Sequence, residues 1–402
     1  MSNCLRDIAE VIMGQSPPGE TCNTTEEGLP LLNGPTEFGS FHPSPVQFTT
    51  DPKRVSSRGD LLFCVRGSTT GRMNWSDQTY ALGRGLAAIR PKNGNRFSSF
   101  LKGCIEVCLP TLLMGATGST FPSVSREQIE DISVEIPSDE DLKRIENILG
   151  TLDDKIELNR KTNETLEAMA NALFKSWFVD FDPVRAKAEG RPTGLPADIS
   201  DLFPDSFEDS ELGEIPSGWS VEALSDIAQI STGKRPVSVA ESRSSANNIP
   251  VYGGAGVMGY TCSALTDGEP ILTTGRVGTL GVVNRVIEKV WISDNTLIIN
   301  PGRINFVYVY FFLLRQDLKS LNRGSTQPLL SQTELKSLPI ARPPASVLSV
   351  FCELTQHWQE RQSTLLKENV NIKALLDTLL PKLISGEIRI PDAEKMLEEV
   401  DI

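Results

Sequence analysis

The chain has 402 residues, 39% of them hydrophobic, which is enough for two or three globular domains. Its longest purely apolar or aromatic run, Phe306 to Leu314, is far short of the ~20 residues that cross a bilayer, and no signal peptide is apparent. The seven cysteines include no C-x-x-C pair and there are only two histidines. This composition predicts a protein of the reducing cytoplasm with no disulfide framework, no metal site and no histidine-based catalysis.

The local charge differs from the net charge of −13, which by itself argues against a nucleic-acid partner. From Asp51 to Gly103 there are ten basic and three acidic residues, a local charge of +7. From Asp180 to Glu214 there are ten acidic and three basic residues, a local charge of −7. A protein that is acidic overall can still present a basic face to phosphates. Solvated surface charge is the alternative explanation for either segment alone.

The predicted elements divide the chain into six segments. Short β-branched runs between glycine and proline turns, followed by long helical patterns, predict an α+β fold with two mixed α/β domains. The first helix begins at Ser138, where Asp141 completes a capping box, and ends before Pro183. The segments are a first domain (1–137), a first long helix (138–182), an acidic Pro/Gly-rich linker (183–218), a second domain (219–345), a second long helix (346–390) and a C-terminal tail (391–402).

The two domains are predicted to be copies of one another, because five groups of residues recur in the same order. The offset between copies drifts from 219–220 to 210 and then 206, as loop insertions and deletions would produce. The matches are Leu5-x-Asp7-Ile8-Ala9 with Leu224-x-Asp226-Ile227-Ala228, Gly14 with Gly233, Gly34 with Gly254, Arg66 to Gly71 with Arg276 to Gly281, and Gly118-Ser119-Thr120 with Gly324-Ser325-Thr326.

Both long helices carry apolar residues at spacings of three and four over more than three heptads, which predicts a two-helix seam. Packing of each helix on its own domain is the alternative. The residues predicted to form the interface of the helix pair are Leu152, Ile156, Asn163, Leu166 and Leu173 in the first helix and Trp358, Leu365, Asn369, Ile372 and Leu379 in the second.

Motifs for catalysis or cofactor binding are not convincing. Gly254-Ala-Gly256-Val-Met-Gly259 has dinucleotide spacing, but the Tyr-Thr-Cys-Ser that follows does not open a helix. Thr232-Gly233-Lys234 lacks the other residues of a phosphate loop. The sequence therefore predicts that this chain is not an enzyme.

The segments Leu152–Asn159, Ala172–Val184, Gly213–Trp219 and Leu380–Ile388 resemble type I restriction–modification specificity subunits, and the likeness covers nearly the whole chain. The first copy departs from the pattern because it lacks the Pro-x-Gly-Trp lead of the second. The resemblance implies two target-recognition domains and an antiparallel coiled coil with pseudo-twofold symmetry. It also implies docking of two methyltransferase subunits, with restriction subunits added peripherally. S-adenosylmethionine, ATP and Mg then belong to those partners, and this chain binds no cofactor.

We expect the chain to bind double-stranded DNA at an asymmetric bipartite target. We expect no membrane partner. Arginine pairs with guanine, asparagine and glutamine with adenine, and serine and threonine make adaptable contacts. Turn formation is the alternative role of the shared Gly-Ser-Thr positions. The candidate DNA-binding residues are Arg66, Ser68, Thr69, Arg72, Asn74, Arg84 and Thr120 in the first copy and Lys234, Arg276, Thr279, Asn295, Thr326 and Gln327 in the second.

Two other functions remain open on the sequence alone: a non-catalytic coiled-coil scaffold with two heads for a non-DNA ligand, and a fused enzyme. The basic segment argues against the first and the lack of catalytic motifs against the second. For the helices, we expect Asn163 and Asn369 to meet across the seam, since each lies near the middle of its helix.

Overall fold

The computed structural model describes residues 3–39, 41–92, 97–115, 122–322 and 329–398. The chain forms two compact units: residues 1–161 together with 364–402, and residues 162–363. Within the described ranges, no helix combines the length and the apolar character that a membrane span requires.

The secondary structure is mixed throughout both units. The helices are α1 (Leu5–Ile8), α2 (Ser98–Met114), α3 (Arg126–Glu130), α4 (Asp139–Phe178), α5 (Asp182–Ala188), α6 (Ala197–Ser200), α7 (Leu224–Ile227), α8 (Gly302–Arg315), α9 (Gln332–Lys336), α10 (Ala345–Ile384) and α11 (Ile390–Glu398). The strands of the first unit are β1 (Asn3–Cys4), β2 (Ala9–Met13), β3 (Cys22–Asn23), β4 (Leu29–Leu32), β5 (Gln47–Thr49), β6 (Leu61–Cys64), β7 (Met73–Trp75), β8 (Ala81–Leu82), β9 (Leu86–Pro91) and β10 (Ser133–Val134). Those of the second are β11 (Phe207–Ser210), β12 (Gly213–Pro216), β13 (Ser220–Ala223), β14 (Gln229–Thr232), β15 (Ile249–Gly253), β16 (Gly256–Thr261), β17 (Ile271–Gly275), β18 (Val283–Val286), β19 (Trp291–Ile292), β20 (Thr296–Asn300) and β21 (Pro339–Arg342).

In the first unit, an antiparallel sheet in the order β2-β9-β6-β7 forms the centre. A second sheet, β3-β5-β4-β8, contains a parallel pair in which Leu31 lies opposite Ala81. One core of this unit joins the central sheet to α2, through contacts among Phe63, Leu101 and Ile105. These residues are buried because strand and helix each direct one apolar side toward the other.

The second unit repeats this arrangement with its own strands. Its central antiparallel sheet has the order β14-β20-β17-β18. Its smaller sheet, β16-β15-β19, again contains a parallel pair, in which Val251 lies opposite Trp291. These strands lie 220 and 210 residues after their counterparts in the first unit, which are the offsets of the sequence repeat.

The repeated Leu-x-Asp-Ile-Ala motif has the same structural role in both units. The carboxylate of Asp7 accepts a hydrogen bond from the backbone N–H three residues earlier at 2.8 Å, and Asp226 accepts the equivalent bond at 3.1 Å. Leu5 and Leu224 are fully buried beside these bonds. The motif therefore ends one strand, forms a single helical turn and starts the next strand.

The ends of the long helices follow local backbone chemistry. Ser138 Oγ accepts a hydrogen bond from Asp141 N–H at 3.2 Å, which caps the start of α4 as predicted. The chain leaves α4 at Phe181, whose φ of 54° is left-handed. At the end of α10, Gly386 has a φ of 69°, a conformation that costs glycine little.

The predicted interface residues of the two long helices fall in both units. In the first unit, Leu152, Ile372 and Leu379 are fully buried in one cluster, with Ile156 packed against it. Leu365, on the part of α10 that belongs to this unit, is 1% exposed. In the second unit, Leu173 and Trp358 are half-buried against an aromatic cluster, and Leu166 is also half-buried.

The predicted contact between Asn163 and Asn369 is wrong. In the first unit, Asn159 Nδ2 donates to Asn369 Oδ1 at 2.9 Å. In the second, Gln362 Nε2 donates to the backbone carbonyl of Asn163 at 3.1 Å. The sequence shows that each asparagine lies near the middle of its helix, but it does not show which residues face one another. Asn159 lies one turn before Asn163 on the same face of α4, so either could have been the partner.

The predicted linker and the described part of the predicted tail are both folded. Residues 183–218 contain α5, α6 and the β11–β12 hairpin, and Phe203 and Trp219 beside them are buried in the core of the second unit. The tail forms α11, where Ile390 and Ala393 are buried in the first unit. Both α5 and α11 carry proline at the second position of the helix, where its missing N–H has no helical partner to lose.

Candidate nucleic-acid interface

Several loops of the first unit meet at one edge of its central sheet, and backbone hydrogen bonds hold them together. Gly14 N–H donates to Leu86 O at 2.8 Å, and Val65 N–H donates to Gly85 O at 3.0 Å. Val124 N–H in turn donates to Val65 O at 2.9 Å. We call this surface the first loop surface; it consists of residues 14–16, 33–37, 66–72, 83–85 and 122–124.

Most of the predicted DNA-binding side chains of the first copy lie on the first loop surface. Arg66, Ser68, Arg72 and Arg84 are exposed, and Thr69 is half-buried. Arg72 Nη1 also donates to a backbone carbonyl of the 33–37 loop at 3.3 Å, which limits the range of positions that this guanidinium adopts. The surface thus offers three arginines for phosphates or guanines and two hydroxyls for adaptable contacts.

Asn74 does not belong to this surface, and its prediction as a DNA-binding residue is wrong. Asn74 lies in β7 and is only 4% exposed to solvent. Its Nδ2 donates a hydrogen bond to Gly39 O at 3.0 Å. The amide therefore supports the packing of a neighbouring loop. Thr120, another candidate, lies outside the described residues.

The second unit has an equivalent set of loops. Gly233 N–H donates to Thr296 O at 3.0 Å, and Arg276 N–H donates to Asn295 O at 2.8 Å. Leu330 N–H donates to Arg276 O at 2.8 Å. We call this surface the second loop surface; it consists of residues 233–235, 254, 275–281, 293–296 and 329–330.

The hydrogen bonds correct the predicted alignment of the two arginine loops by one residue. Arg276 makes the backbone bonds that Val65 makes in the first unit, so it is not the counterpart of Arg66. Arg66 and Val277 form the matching isolated bridges to the loops before α3 and α9. The shift arises because β17 has five residues and β6 has four. The two arginines therefore occupy different positions relative to the central sheet of their unit.

The side chain of Arg276 is half-buried, unlike that of Arg66. Its Nε atom is shielded from solvent and has no hydrogen-bond partner among the described residues. A buried N–H without a partner is costly, and an anionic or base acceptor at this place would remove that cost. Lys234, Thr279 and Asn295 are exposed nearby, whereas Thr326 and Gln327 lie outside the described residues.

The sequence analysis missed Asn33, an amide of the first loop surface that pairs with Gln47 beside it. Asn33 Nδ2 donates to Gln47 Oε1 at 2.8 Å, and the backbones of Gly83 and Gly85 approach Asn33 closely. Amides of this kind suit the N6/N7 edge of adenine. The available signal was that Asn33 directly precedes a glycine of the repeat; its counterpart in the second copy is Gly253.

The chemistry of the two loop surfaces comes from basic, hydroxyl and amide side chains. Within the described ranges, no group of three or more histidine, cysteine, aspartate or glutamate residues could hold a metal ion. The surfaces combine guanidinium, hydroxyl and amide groups on short loops over a rigid sheet. Such a combination suits contacts to phosphates and base edges.

Comparisons with known proteins agree with this description. The family model for the type I restriction modification DNA specificity domain matches residues 1–168 and 216–371. The HindI specificity subunit of Haemophilus influenzae is 25% identical, and the match covers 84% of this chain and 88% of that one. The MjaIX specificity subunit of Methanocaldococcus jannaschii is 27% identical over 68% and 65% of the two chains. The fold is similar to the crystal structure of a type I S subunit from M. genitalium, with a TM-score of 0.57, 15% identity and 96% coverage of each chain.

The same sheet with the same loops occurs in both units, and the family model matches both copies. These two findings define a DNA-recognition protein. The chain belongs to the family of type I restriction–modification DNA specificity subunits, as its sequence predicted. Its function is to specify the DNA sequence on which such a system acts. The comparisons give no support to a scaffold with heads for a non-DNA ligand.

Proposed function

We propose that the chain reads two short segments of an asymmetric duplex-DNA target, one with each loop surface. The observation that carries this proposal is the repeated frame, with the strand orders β2-β9-β6-β7 and β14-β20-β17-β18. The backbone bonds of the two frames correspond, while the side chains on their loops differ. Different side chains on the same frame predict different base preferences, and hence a bipartite target without symmetry.

The two long helices then form an antiparallel coiled coil with approximate twofold symmetry. Two contacts support this arrangement. Within the second unit, Asn163 on α4 contacts Gln362 on α10, and Trp177, further along α4, has its ring 6.1 Å from that of Phe351, which is earlier on α10. Partner positions that decrease in one helix as they increase in the other are those of antiparallel helices.

The same helices provide the docking surface for two methyltransferase subunits, and restriction subunits join the complex peripherally. Exposed apolar side chains on α4 and α10 support this role: Leu158 and Met169 on the first, Leu366 and Val370 on the second. S-adenosylmethionine, ATP and Mg²⁺ belong to those partner subunits. The purified chain alone is therefore expected to have no methyltransferase or nuclease activity.

Methylome sequencing of a host that carries this chain with a partner methyltransferase gene tests the proposal. We expect one methylated motif with two specific segments around a fixed unspecific spacer. Arg191→Ala, in the acidic segment of the second unit, serves as the control and should leave the motif unchanged. A single continuous palindromic motif, or the same motif when the chain is omitted, would contradict the proposal.

A further inference from the structure

Each unit exposes a large apolar side chain beside its loop surface. Val46 in the first unit is 67% exposed, and Met258 in the second is 56% exposed. A single exposed apolar residue needs no explanation, because much of any folded surface is apolar. The recurrence of such a residue at the same place in both copies does need one.

The strand pairing shows that the two residues are equivalent. In the first unit, Leu31 of β4 lies opposite Gln47 of β5. In the second, Val251 of β15, which follows Leu31 by the repeat offset of 220, lies opposite Gly259 of β16. The two exposed apolar residues directly precede Gln47 and Gly259, so they occupy the same position relative to the smaller sheet of each unit.

Hydrogen bonds on both sides hold Val46 beside the first loop surface. Ser44 N–H donates to Glu37 O at 2.7 Å, and Asn33 Nδ2 donates to Gln47 Oε1 at 2.8 Å. Glu37 and Asn33 both belong to one loop of that surface. The backbone of Val46 is therefore fixed next to this loop, while its side chain is open to solvent.

Met258 is held in a comparable way beside the second loop surface. It lies on the β15–β16 hairpin, where a bulge leaves it out of the strand register, and a Cβ at Gly253 would lie 3.2 Å from its Sδ. The next residue of the hairpin, Gly254, is part of the second loop surface. Asn284 Nδ2 donates to Gly254 O at 3.4 Å, and a Cβ on Gly254 would lie 2.8 Å from Gly275 Cα. The hairpin that carries the thioether is therefore packed directly on the loops that face DNA.

We propose that Val46 and Met258 each contact the 5-methyl group of a thymine, one in each half-site of the DNA target. This inference rests on the proposed function, in which each loop surface reads one segment. Base edges in the major groove present donors and acceptors, which suit the guanidinium, hydroxyl and amide groups of the loops. The thymine methyl is the apolar group on those edges, and an apolar side chain that covers it removes it favourably from water.

The test uses the complex of the full chain with its partner methyltransferase and a duplex that contains the methylated motif. Each thymine of either strand in the specific segments is replaced singly by deoxyuridine, which removes the methyl group and keeps the hydrogen-bonding edge. We expect binding to weaken about fourfold at one thymine of each half-site, the effect of losing roughly one buried methyl group. A complex that does not prefer the motif to scrambled DNA would contradict the proposed function. A complex that prefers the motif but ignores every thymine methyl, or a specific segment without thymine, would overturn this inference alone.

Two substitutions assign the methyl groups to the side chains. Val46→Ala should bind the unmodified motif about fourfold more weakly and lose the response to deoxyuridine in one half-site only, and Met258→Ala should do the same in the other. Ile287→Ala is the matched control: Ile287 is 55% exposed and follows β18 at the end of the central sheet opposite Gly275, so both responses should stay unchanged. A response to deoxyuridine that persists in either variant, or a loss of methyltransferase assembly in its place, would overturn the proposal.

Discussion

The first unit joins its short helix α2 to the long helices through charged groups, whereas the second unit joins α8 to them through aromatic rings. In the first unit, the carboxylate of Glu146 on α4 accepts hydrogen bonds from the backbone N–H groups of Ser99 and Phe100, at 3.0 and 2.9 Å. Three residues later along α2, Lys102 Nζ lies 3.0 Å from Asp153. The start of α2 is therefore fixed by charge-assisted hydrogen bonds.

In the second unit, the corresponding junction consists mainly of rings. Phe351 lies 4.9 Å from Phe178 and 6.2 Å from Phe174, measured between ring centroids. Phe174 lies 5.6 Å from both Tyr308 and Phe311 of α8. At the position equivalent to Glu146, 206 residues later, the second copy has Cys352.

The comparison distinguishes the central sheets with their loops, which correspond in the two units, from the attachment of each unit to the long helices, which differs. Each central sheet and its loops are held by backbone–backbone hydrogen bonds at glycine positions, and by aspartate and serine side-chain oxygens that accept from backbone N–H groups. These bonds correspond in the two units. The attachment to the long helices depends on side chains, and here charged and aromatic groups replace one another. Substitutions at the attachment should therefore affect one unit at a time, by mechanisms that differ between units.

The largest effect is expected from Phe351→Ala, which removes a fully buried ring from the aromatic junction. We expect the second unit to lose about 3–5 kcal/mol of stability, because a large cavity remains among rings that cannot collapse. Hydrogen exchange followed by mass spectrometry reads the two units separately. Ile145→Ala, at the equivalent position of the first unit, is the matched control. It should cost less and should speed exchange in the first unit alone; faster exchange in both units for either variant would contradict separate attachments.

The second prediction uses the different places of the two arginines. Arg66→Ala should weaken binding to one half-site by about 1–3 kcal/mol, as expected when an exposed arginine contact is lost. Val277→Ala, at the equivalent backbone position of the second unit, should leave both half-sites unchanged, whereas Arg276→Ala should weaken the other half-site. Competition binding with each half-site scrambled in turn measures the effects. If Arg66→Ala and Arg276→Ala weakened the same half-site, the two-surface assignment would be incorrect.

The sequence predicted the repeated frame well because its signals are local. Asp7, Asp226 and Ser138 act through hydrogen bonds three residues away, and such spacings are visible in a sequence. It failed where the answer depended on distant segments. The sequence around Asn74 suggested an exposed amide, but in the fold the loop at Gly39 covers it. The one-residue shift between Arg66 and Arg276 depends on strand length, which backbone pairing decides.

The folded linker and tail were missed for a related reason. Residues 183–218 are acidic and rich in proline and glycine, a composition that is typical of linkers. Phe203, Phe207 and Trp219 are spaced too irregularly to match a helical or strand period. In the fold, Phe203 and Trp219 pack against Trp177 and Phe178, and Phe207 packs against Phe181. No local pattern predicts a core that is assembled from single aromatic residues on separate turns.

A third prediction compares the two asparagines that occupy equivalent positions in the long helices. Asn369 makes a side-chain hydrogen bond with Asn159, whereas Asn163 Oδ1 is buried with no partner among the described residues. Asn369→Leu should therefore cost about 1 kcal/mol, and Asn163→Leu should be neutral or stabilising, since it removes an unsatisfied buried group. Urea unfolding of both variants measures this difference. An equal loss of stability in the two variants would show that both asparagines make equivalent contacts.

The smallest expected effect is a pH dependence of the charged junction in the acid range. Burial raises the pKa of Glu106 above its ordinary 4.5; Lys102 opposes this, while Asp153 and Asp377 add to it. A carboxyl group with a raised pKa contributes stability below pH 4.5, and this contribution is lost as the pH rises through the raised value. Glu106→Gln lacks the titration, so its melting temperature relative to the wild type should rise as the pH increases from 4.5 through the raised pKa of Glu106. The second unit has Phe312 at this position, and exposed Glu353 on α10 provides a control for general charge effects. A pH-independent difference for Glu106→Gln, or the same trend for Glu353→Gln, would show that burial beside Lys102 does not set this pKa.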